Sequence, residues 1–212
     1  MSKTRLKKLI IENTKTLIDK NLNIGSEGNI SQRTNDGFLI TPSGVNPKNI
    51  KINQVSHISL NGDINNKVKP SSEWGMHLKI YNKFNNVNSI VHTHSVFASV
   101  LSCSRENIPS FHYMIAEFGG KNVRCSKYAV FGSDEIGKNV LIALKNRKAC
   151  LISNHGQITI GKSFEEAIQL AESLEKISKQ FYLCKLLKNY KLLTSSEMNE
   201  VIDLFDDYKS RH

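Results

Sequence analysis

The chain has 212 residues and a formal net charge of +10, with 39% hydrophobic and 23% charged residues. This length can form one domain with a sizeable core, and the apolar runs are too short to span a membrane. The N-terminus lacks the apolar stretch of a secretion signal. We therefore expect one cytoplasmic domain over residues 1–212, with no membrane partner.

The basic residues are scattered along the chain and do not form dense runs interleaved with aromatic residues. Such runs are typical of nucleic-acid surfaces, so no nucleic-acid partner is expected. The four cysteines are too far apart for a CxxC metal or redox motif, and four reduced thiols are expected. They are Cys103, Cys125, Cys150 and Cys184.

The first part of the chain predicts two amphipathic helices around a group of strands. Apolar residues at helical spacing predict the helices, and alternating segments bounded by turn residues predict the strands. Ser71 or Ser72 is expected to cap the second helix, with Glu73 in its first turn. The predicted helices cover 3–20 and 73–84, and the strands cover 30–33, 37–41 and 55–60.

The second part alternates strands with helices, which favours a single α/β domain. One strand begins at Ser89 and runs into His92-Thr93-His94. Ser163 is expected to cap a long helix. The other predicted strands are 127–131, 149–153 and 158–160, and the predicted helices are 96–102, 133–146, 163–188 and 195–206.

His92 and His94 are the strongest local signal for chemistry. Side chains at i and i+2 of a strand point to the same face, so the two imidazoles can bind one metal ion. His155 follows a predicted strand, where the chain enters a loop. Three histidines with an open position are the pattern of a catalytic zinc site. A lone HxH pair is more often a pair of ordinary hydrogen-bonded histidines.

Polar and glycine-rich loops accompany these histidines. Gly28-Asn29 and Ser43-Gly44 are by default turns, and Ser71 and Ser72 are by default caps. Together they could present backbone N–H groups to a phosphate. Glu73 is a candidate acid/base group or a fourth metal ligand, although a carboxylate at a helix start commonly serves only the helix dipole.

These blocks together resemble the class II aldolase/adducin superfamily, and within it the bacterial L-fuculose-phosphate aldolases. The resemblance covers nearly the whole chain and implies a central, mainly antiparallel sheet flanked by helices. Many blocks in order are far more specific than any one motif. They are residues 28–31, 41–44, 70–74, 92–94, 112–116, 128–132, 143–149 and 154–156.

The resemblance implies a role for each metal-site residue. His92, His94 and His155 would hold one Zn²⁺ per subunit. Glu73 would be the acid/base group and a metal ligand when no substrate is bound. Tyr113 would reach a neighbouring subunit's site and exchange the proton of the aldehyde oxygen. A homotetramer with sites between subunits is therefore implied.

The resemblance also implies a set of substrate-binding residues. One group would cradle the phosphate: Gly28, Asn29, Ser43, Gly44, Ser71 and Ser72. Phe131 would shape the pocket for the aldehyde part. Phe205 and Tyr208 would belong to a C-terminal tail that covers the site. This chain departs from the family pattern at Glu27, an acidic residue beside the phosphate loop, and at Ser43, where Thr is expected; His77 and Cys103 lie near motif blocks and receive no role.

The implied reaction is retro-aldol cleavage of a phosphorylated ketose, L-fuculose 1-phosphate or a similar sugar. It would give dihydroxyacetone phosphate and a small aldehyde such as L-lactaldehyde. Alternatives within the superfamily are a ribulose-phosphate 4-epimerase, a deoxypentulose-phosphate aldolase and a methylthioribulose-phosphate dehydratase. A non-catalytic module like the adducin head is the alternative of another class.

Overall fold

The computed structural model describes residues 2–64 and 68–210, with side chains described up to Phe205. Six α-helices and seven strands lie in this part of the chain. The helices are α1 Lys3–Asp19, α2 Trp74–Lys83, α3 Val96–Ser102, α4 Asp134–Ala143, α5 Phe164–Leu187 and α6 Ser195–Ser210. The strands are β1 Asn29–Thr34, β2 Gly37–Ile40, β3 Ser56–Ser59, β4 Ser89–Thr93, β5 Arg124–Cys125, β6 Ala149–Ile152 and β7 Gly156–Gly161.

The seven strands form one sheet in the order β3-β2-β1-β4-β7-β6-β5. Every described pairing is antiparallel except that of β5 with β6. The predicted fold, one α/β domain with a mainly antiparallel sheet and flanking helices, is therefore confirmed. Because β4 lies at the centre of the sheet, it places His92 deep inside the protein, and His94 follows directly after its end in a half-buried position.

Helices cover both faces of the sheet, and strand β2 shows how. Phe38 and Leu39 are both fully buried but belong to different apolar clusters, since neighbouring strand residues point to opposite faces. Phe38 packs in the cluster of α2 and α4, and Leu39 packs in the cluster of α1 and the start of α5. Burying one such side chain contributes about 1.5–3 kcal/mol, so both layers hold the sheet in place.

The predicted strand over 127–131 is wrong. The edge strand β5 ends at Cys125, and the following segment is a loop in which Tyr128, Val130 and Phe131 are 52%, 60% and 67% exposed. Aromatic and β-branched residues favour a strand locally, but strand formation also needs a pairing partner and a buried face. This loop has neither, and it runs past the end of the sheet instead.

Helix α2 begins one residue later than predicted. Glu73 occupies the N-cap position, and its side chain makes no capping hydrogen bond. Ser71 does accept a hydrogen bond at Oγ from the Glu73 backbone N–H, over 3.3 Å. The Glu73 carboxylate is therefore free to turn into the protein interior, where it is 5% exposed.

The other elements agree with prediction apart from their ends. Helix α4 is shorter than predicted, helix α6 is longer, and Ser163 caps α5 as expected by accepting from the Glu166 backbone N–H. All four cysteines are free thiols. Within the described residues, no helix has the length and apolar character that crossing a membrane requires.

Candidate metal centre and substrate pocket

The sheet fixes the first histidine of the candidate site. His92 on β4 pairs with Asn29 on β1 and with Ile158 on β7, and its side chain is fully buried. Its Nδ1–H donates to the Gln157 carbonyl oxygen over 2.8 Å. In the neutral ring this hydrogen bond leaves the lone pair on Nε2, which is the form that can ligate a metal.

Three further side chains converge on Nε2 of His92. Nε2 of His94 lies 3.0 Å away and Oε2 of Glu73 lies 3.1 Å away. Nε2 of His155 lies 3.5 Å from Oε1 of the same glutamate. One ligand atom from each of these four residues falls within 4.8 Å of the others. The predicted metal set, from three separate parts of the chain, is thus brought together at one point.

The charges in this cluster depend on each other. Burial by itself would raise the pKa of Glu73, but His92 and His155 outweigh it and hold the pKa of that carboxyl well below its usual range. Burial opposes charge on His92, yet Glu73 holds the pKa of His92 above its ordinary value. Burial and the neighbouring His92 lower the pKa of His94 to about 3 and that of His155 to about 4. Both rings are therefore neutral near pH 7, as metal ligands must be.

The four residues fit a divalent cation. Oε1 of Glu73 is buried and has no hydrogen-bond partner among the residues that the structure describes, which is costly for a carboxylate oxygen. Neutral imidazoles and a carboxylate are the donors that such cations use in catalytic sites. A bound cation would satisfy the orphaned oxygen and the converging nitrogens together.

Two glycines allow the chain to pass close to strand β4, which carries His92. A Cβ at Gly28, whose φ is +65°, would lie 2.6 Å from the His92 carbonyl oxygen and 2.4 Å from the Asn23 amide. A Cβ at Gly156 would lie 2.4 Å from the Thr93 carbonyl oxygen. Both distances are shorter than van der Waals contact, so only glycine fits there without a shift of the backbone.

A cavity of about 330 Å³ opens beside the metal-site residues. Glu73, His94 and His155 line it, whereas His92 is buried behind them. The residues predicted to bind substrate that also line it are Gly28, Asn29, Ser43, Gly44, Ser71, Ser72 and Phe131. Three polar loops and one aromatic wall thus meet at the metal cluster.

The other three predicted site residues are not brought to this cavity within one chain. Tyr113 begins the 3₁₀ turn Tyr113–Phe118 and is 51% exposed. Phe205 packs against the apolar cluster that contains Phe118 and Leu174. Tyr208 lies in helix α6, but its side chain is outside the part of the chain that the structure describes.

The sequence prediction gave no role to two side chains that contact this site. Glu27 lines the cavity, and its Oε2 lies 3.7 Å from Nδ1 of His94. His77 is fully buried and hydrogen-bonded to Asn29. One signal for His77 was available: it follows Glu73 by four residues, so a helix places the two on the same face.

Comparisons with known proteins agree with this geometry. Residues 8–182 match the model of the family described as Class II Aldolase and Adducin N-terminal domain. The chain belongs to the class II aldolase and adducin family. The predicted family is therefore confirmed, and with it a metal-dependent class II aldehyde-lyase.

Two curated relatives align along almost their whole length. A 5-methylthioribulose-1-phosphate/5-deoxyribulose-1-phosphate aldolase of Rhodospirillum rubrum is 37% identical over 98% of this chain and 94% of its own. An L-fuculose phosphate aldolase of Escherichia coli K12 is 36% identical over 100% of this chain and 99% of its own. A solved L-fuculose 1-phosphate aldolase superposes with a TM-score of 0.93 at 33% identity, over 97% and 98% of the two chains.

Proposed function

We propose that this aldolase holds one Zn²⁺ per subunit and cleaves a ketose 1-phosphate to dihydroxyacetone phosphate and a small aldehyde. The observation that carries the proposal is one cavity in which the four-residue metal cluster meets three polar loops. Such a cavity can hold a substrate that has a chelating keto-alcohol beside a phosphate. L-Fuculose 1-phosphate is the first candidate substrate.

The metal would be held by His92, His94 and His155, with Glu73 as the fourth ligand when substrate is absent. A ligand set of three imidazoles is typical of catalytic zinc. When bound, the cation would supply Lewis-acid stabilisation of the negative charge that develops on the substrate oxygens as the carbon–carbon bond breaks.

Glu73 is the candidate acid/base group. Its Oε2 accepts a hydrogen bond from the Asn29 amide over 2.9 Å, whereas its Oε1 has no hydrogen-bond partner among the described residues and lies 3.5 Å from Nε2 of His155. Oε1 is therefore the oxygen that would carry the proton. In synthesis the ionised Oε1 would remove a proton from C3, and in cleavage Oε1, having taken up a proton from solvent, would return one to C3 after the C3–C4 bond breaks.

The phosphate would lie among the loops that contain Gly28, Ser43 and Ser71. The Ser43 and Ser71 backbone N–H groups already donate to the Lys69 and Thr41 carbonyls. The two serine hydroxyls, together with Ser72, Gly44 and Asn29, are the candidate phosphate donors. Binding the phosphate away from the reacting bond would fix the ketose over the metal.

The aldehyde end of the substrate would lie toward Phe131 and Tyr128 in the same cavity. Tyr113 from a neighbouring subunit of a homotetramer would exchange the C4 proton: in cleavage its hydroxyl would accept the proton of the C4 hydroxyl while passing its own proton to solvent. Its 51% exposure in the single chain leaves the phenol available to such a neighbour. Phe205 and Tyr208 on α6 are proposed to cover the site.

A second candidate substrate is 5-deoxyribulose 1-phosphate or its 5-methylthio derivative. It is favoured by the Rhodospirillum rubrum relative, a 5-methylthioribulose-1-phosphate/5-deoxyribulose-1-phosphate aldolase. The apolar wall at Phe131 suits the methyl group of either aldehyde product.

A coupled assay of the zinc-loaded protein tests the proposal. It would follow release of dihydroxyacetone phosphate from L-fuculose 1-phosphate and from 5-deoxyribulose 1-phosphate, with a chelator control. Chelator-sensitive release is expected, and the higher kcat/KM identifies the preferred sugar. No triose phosphate from either sugar would overturn the proposal; a new pentulose phosphate would instead indicate an epimerase, and loss of water a dehydratase.

A further inference from the structure

A chain of buried hydrogen bonds leads away from Glu73 into the core. Asn29 and Ser31 lie on the same face of β1, and the ring of His77 on α2 lies between them. Nε2 of His77 is 2.6 Å from Asn29 Oδ1, and Nδ1 is 2.7 Å from Ser31 Oγ. Ser31 Oγ is in turn 2.8 Å from the Tyr81 hydroxyl.

The charge of Glu73 sets the direction of every hydrogen bond in this chain. An ionised carboxylate can only accept, so the Asn29 Nδ2–H donates to Oε2. Asn29 Oδ1 then faces His77 and must accept from its Nε2–H. The Nδ1 lone pair accepts from the Ser31 hydroxyl, and Ser31 Oγ accepts from the Tyr81 hydroxyl. The directions from Glu73 to Ser31 are thus fixed, and the Tyr81 hydroxyl, which also lies 3.4 Å from the Asn88 carbonyl oxygen, ends the chain.

His77 is neutral in this arrangement. Burial and the neighbouring His92 lower the pKa of His77 to about 3, so the ring has one N–H and one lone pair at neutral pH. Its tautomer is set by Ser31 on one side and Asn29 on the other. A neutral ring held at both nitrogens can keep an amide in one of its two orientations.

We propose that His77 is a positioning residue that holds the Asn29 amide so that Asn29 fixes Oε2 of Glu73 and leaves Oε1 for the metal and the substrate. This inference rests on the proposed function, since it takes Glu73 as the metal and acid/base residue. The Asn29 amide has a second N–H hydrogen, so the same side chain can also meet the phosphate. Groups that orient a metal ligand in this way contribute about 10- to 100-fold to metal affinity or activity.

The test compares two substitutions at His77. His77→Leu fills the space but has no N–H, whereas His77→Gln offers an amide N–H near the position of Nε2. His57→Leu is the matched control, because His57 is hydrogen-bonded to Asp36 and Thr34 away from the cavity. The readouts are zinc affinity by chelator competition, the visible spectrum of the Co²⁺-loaded protein, kcat and KM, and unfolding of the metal-free protein.

We expect His77→Leu to weaken zinc binding about 10-fold, shift the Co²⁺ bands and lower kcat more than it raises KM. His77→Gln should restore most of each property, and His57→Leu should leave zinc affinity, the Co²⁺ bands and the kinetic constants unchanged. Parent-like zinc affinity and Co²⁺ bands in His77→Leu would overturn the inference. Equal loss in the Leu and Gln variants would overturn it too, because a packing role does not depend on the N–H.

If His77→Leu does not fold, Ser31→Ala replaces it in the test. It removes the donor to Nδ1 with little change of volume, and a smaller shift of the Co²⁺ bands in the same direction is expected. Unchanged bands and zinc affinity would count against the inference. The metal readouts need no substrate, so they test the role of His77 even if the protein cleaves no ketose phosphate. If the parent cleaves the sugar and His77→Leu behaves like the parent, the role of His77 is refuted and the proposed function stands.

Discussion

The Glu27 carboxylate lies 3.7 Å from Nδ1 of His94, whereas Nε2 of the same ring faces His92 at 3.0 Å. The other carboxylate oxygen of Glu27 accepts a hydrogen bond from the Ile24 backbone N–H over 2.5 Å, and this contact fixes the Glu27 side chain. This acidic residue, a departure from the family pattern beside the phosphate loop, is therefore directed at a candidate metal ligand. A carboxylate behind a ligating imidazole raises its basicity and orients its ring.

Replacing Glu27 by Gln should therefore weaken metal binding. We expect a loss in zinc affinity of up to about 10-fold, measured by chelator competition. Glu12→Gln is the control, because it makes the same charge change at an exposed position of helix α1. Equal affinities in the two variants would show that the charge of Glu27 does not act on His94.

Replacing Glu73 by Gln should separate metal binding from turnover. The three histidines remain, so the variant is expected to keep a bound metal, but an amide cannot exchange the proton assigned to Oε1. We expect kcat to fall by about 100-fold or more. Metal content and the coupled assay measure the two effects, and near-normal turnover would remove Glu73 from its role.

Replacing His94 by Asn should empty the metal site. The substitution removes one of three imidazoles and leaves Glu73 and His155 without a complete ligand set. We expect most of the bound metal to be lost after dialysis, as measured by elemental analysis. His57→Asn, away from the cavity, should keep its metal, and a fully metallated His94→Asn protein would contradict the site.

The stability of the metal-free protein should depend on pH through His77. Its pKa is about 3 when folded and 6.5 in the unfolded reference, so the unfolded chain alone takes up the proton between these values. Stability is therefore lost as pH falls from 6.5 towards 3.

His77→Gln removes this contribution. As the pH falls from 7.5 to 5, the free energy of unfolding of the parent should therefore fall by about 2 kcal/mol more than that of the variant. Denaturant titrations in a chelator measure it. A difference between the two proteins that stays constant over this range would show that His77 titrates normally.

Gly28 and Gly44 form a matched pair that tests the close approach of the chain to strand β4 at His92. Their φ values are +65° and +66°, but a Cβ at Gly44 would meet nothing within 4 Å. Gly44→Ala should cost about 1 kcal/mol for the backbone conformation alone, and Gly28→Ala about 1–3 kcal/mol more for the clash. Equal unfolding free energies would indicate that the loop simply moves away.

Local pattern was enough to predict most of the elements and the pairing of His92 with His94. The spacing of apolar residues indicates which face of an element is buried. Residues i and i+2 of a strand point to the same face whatever the rest of the fold is. The segment 127–131 shows the limit. Its residues favour a strand, but no described strand pairs with them, so the chain forms a loop beside the cavity.

By itself the sequence determined most of the elements, the family resemblance and the types of residue that could hold a metal. Only the tertiary structure decided that Glu73 and His155, 82 residues apart in number, meet His92 at one point. It alone also placed His77 behind Asn29 and Glu27 behind His94. Contacts of this kind arise from the packing of a helix and two loops against the sheet, and spacing within one element carries no information about packing between elements.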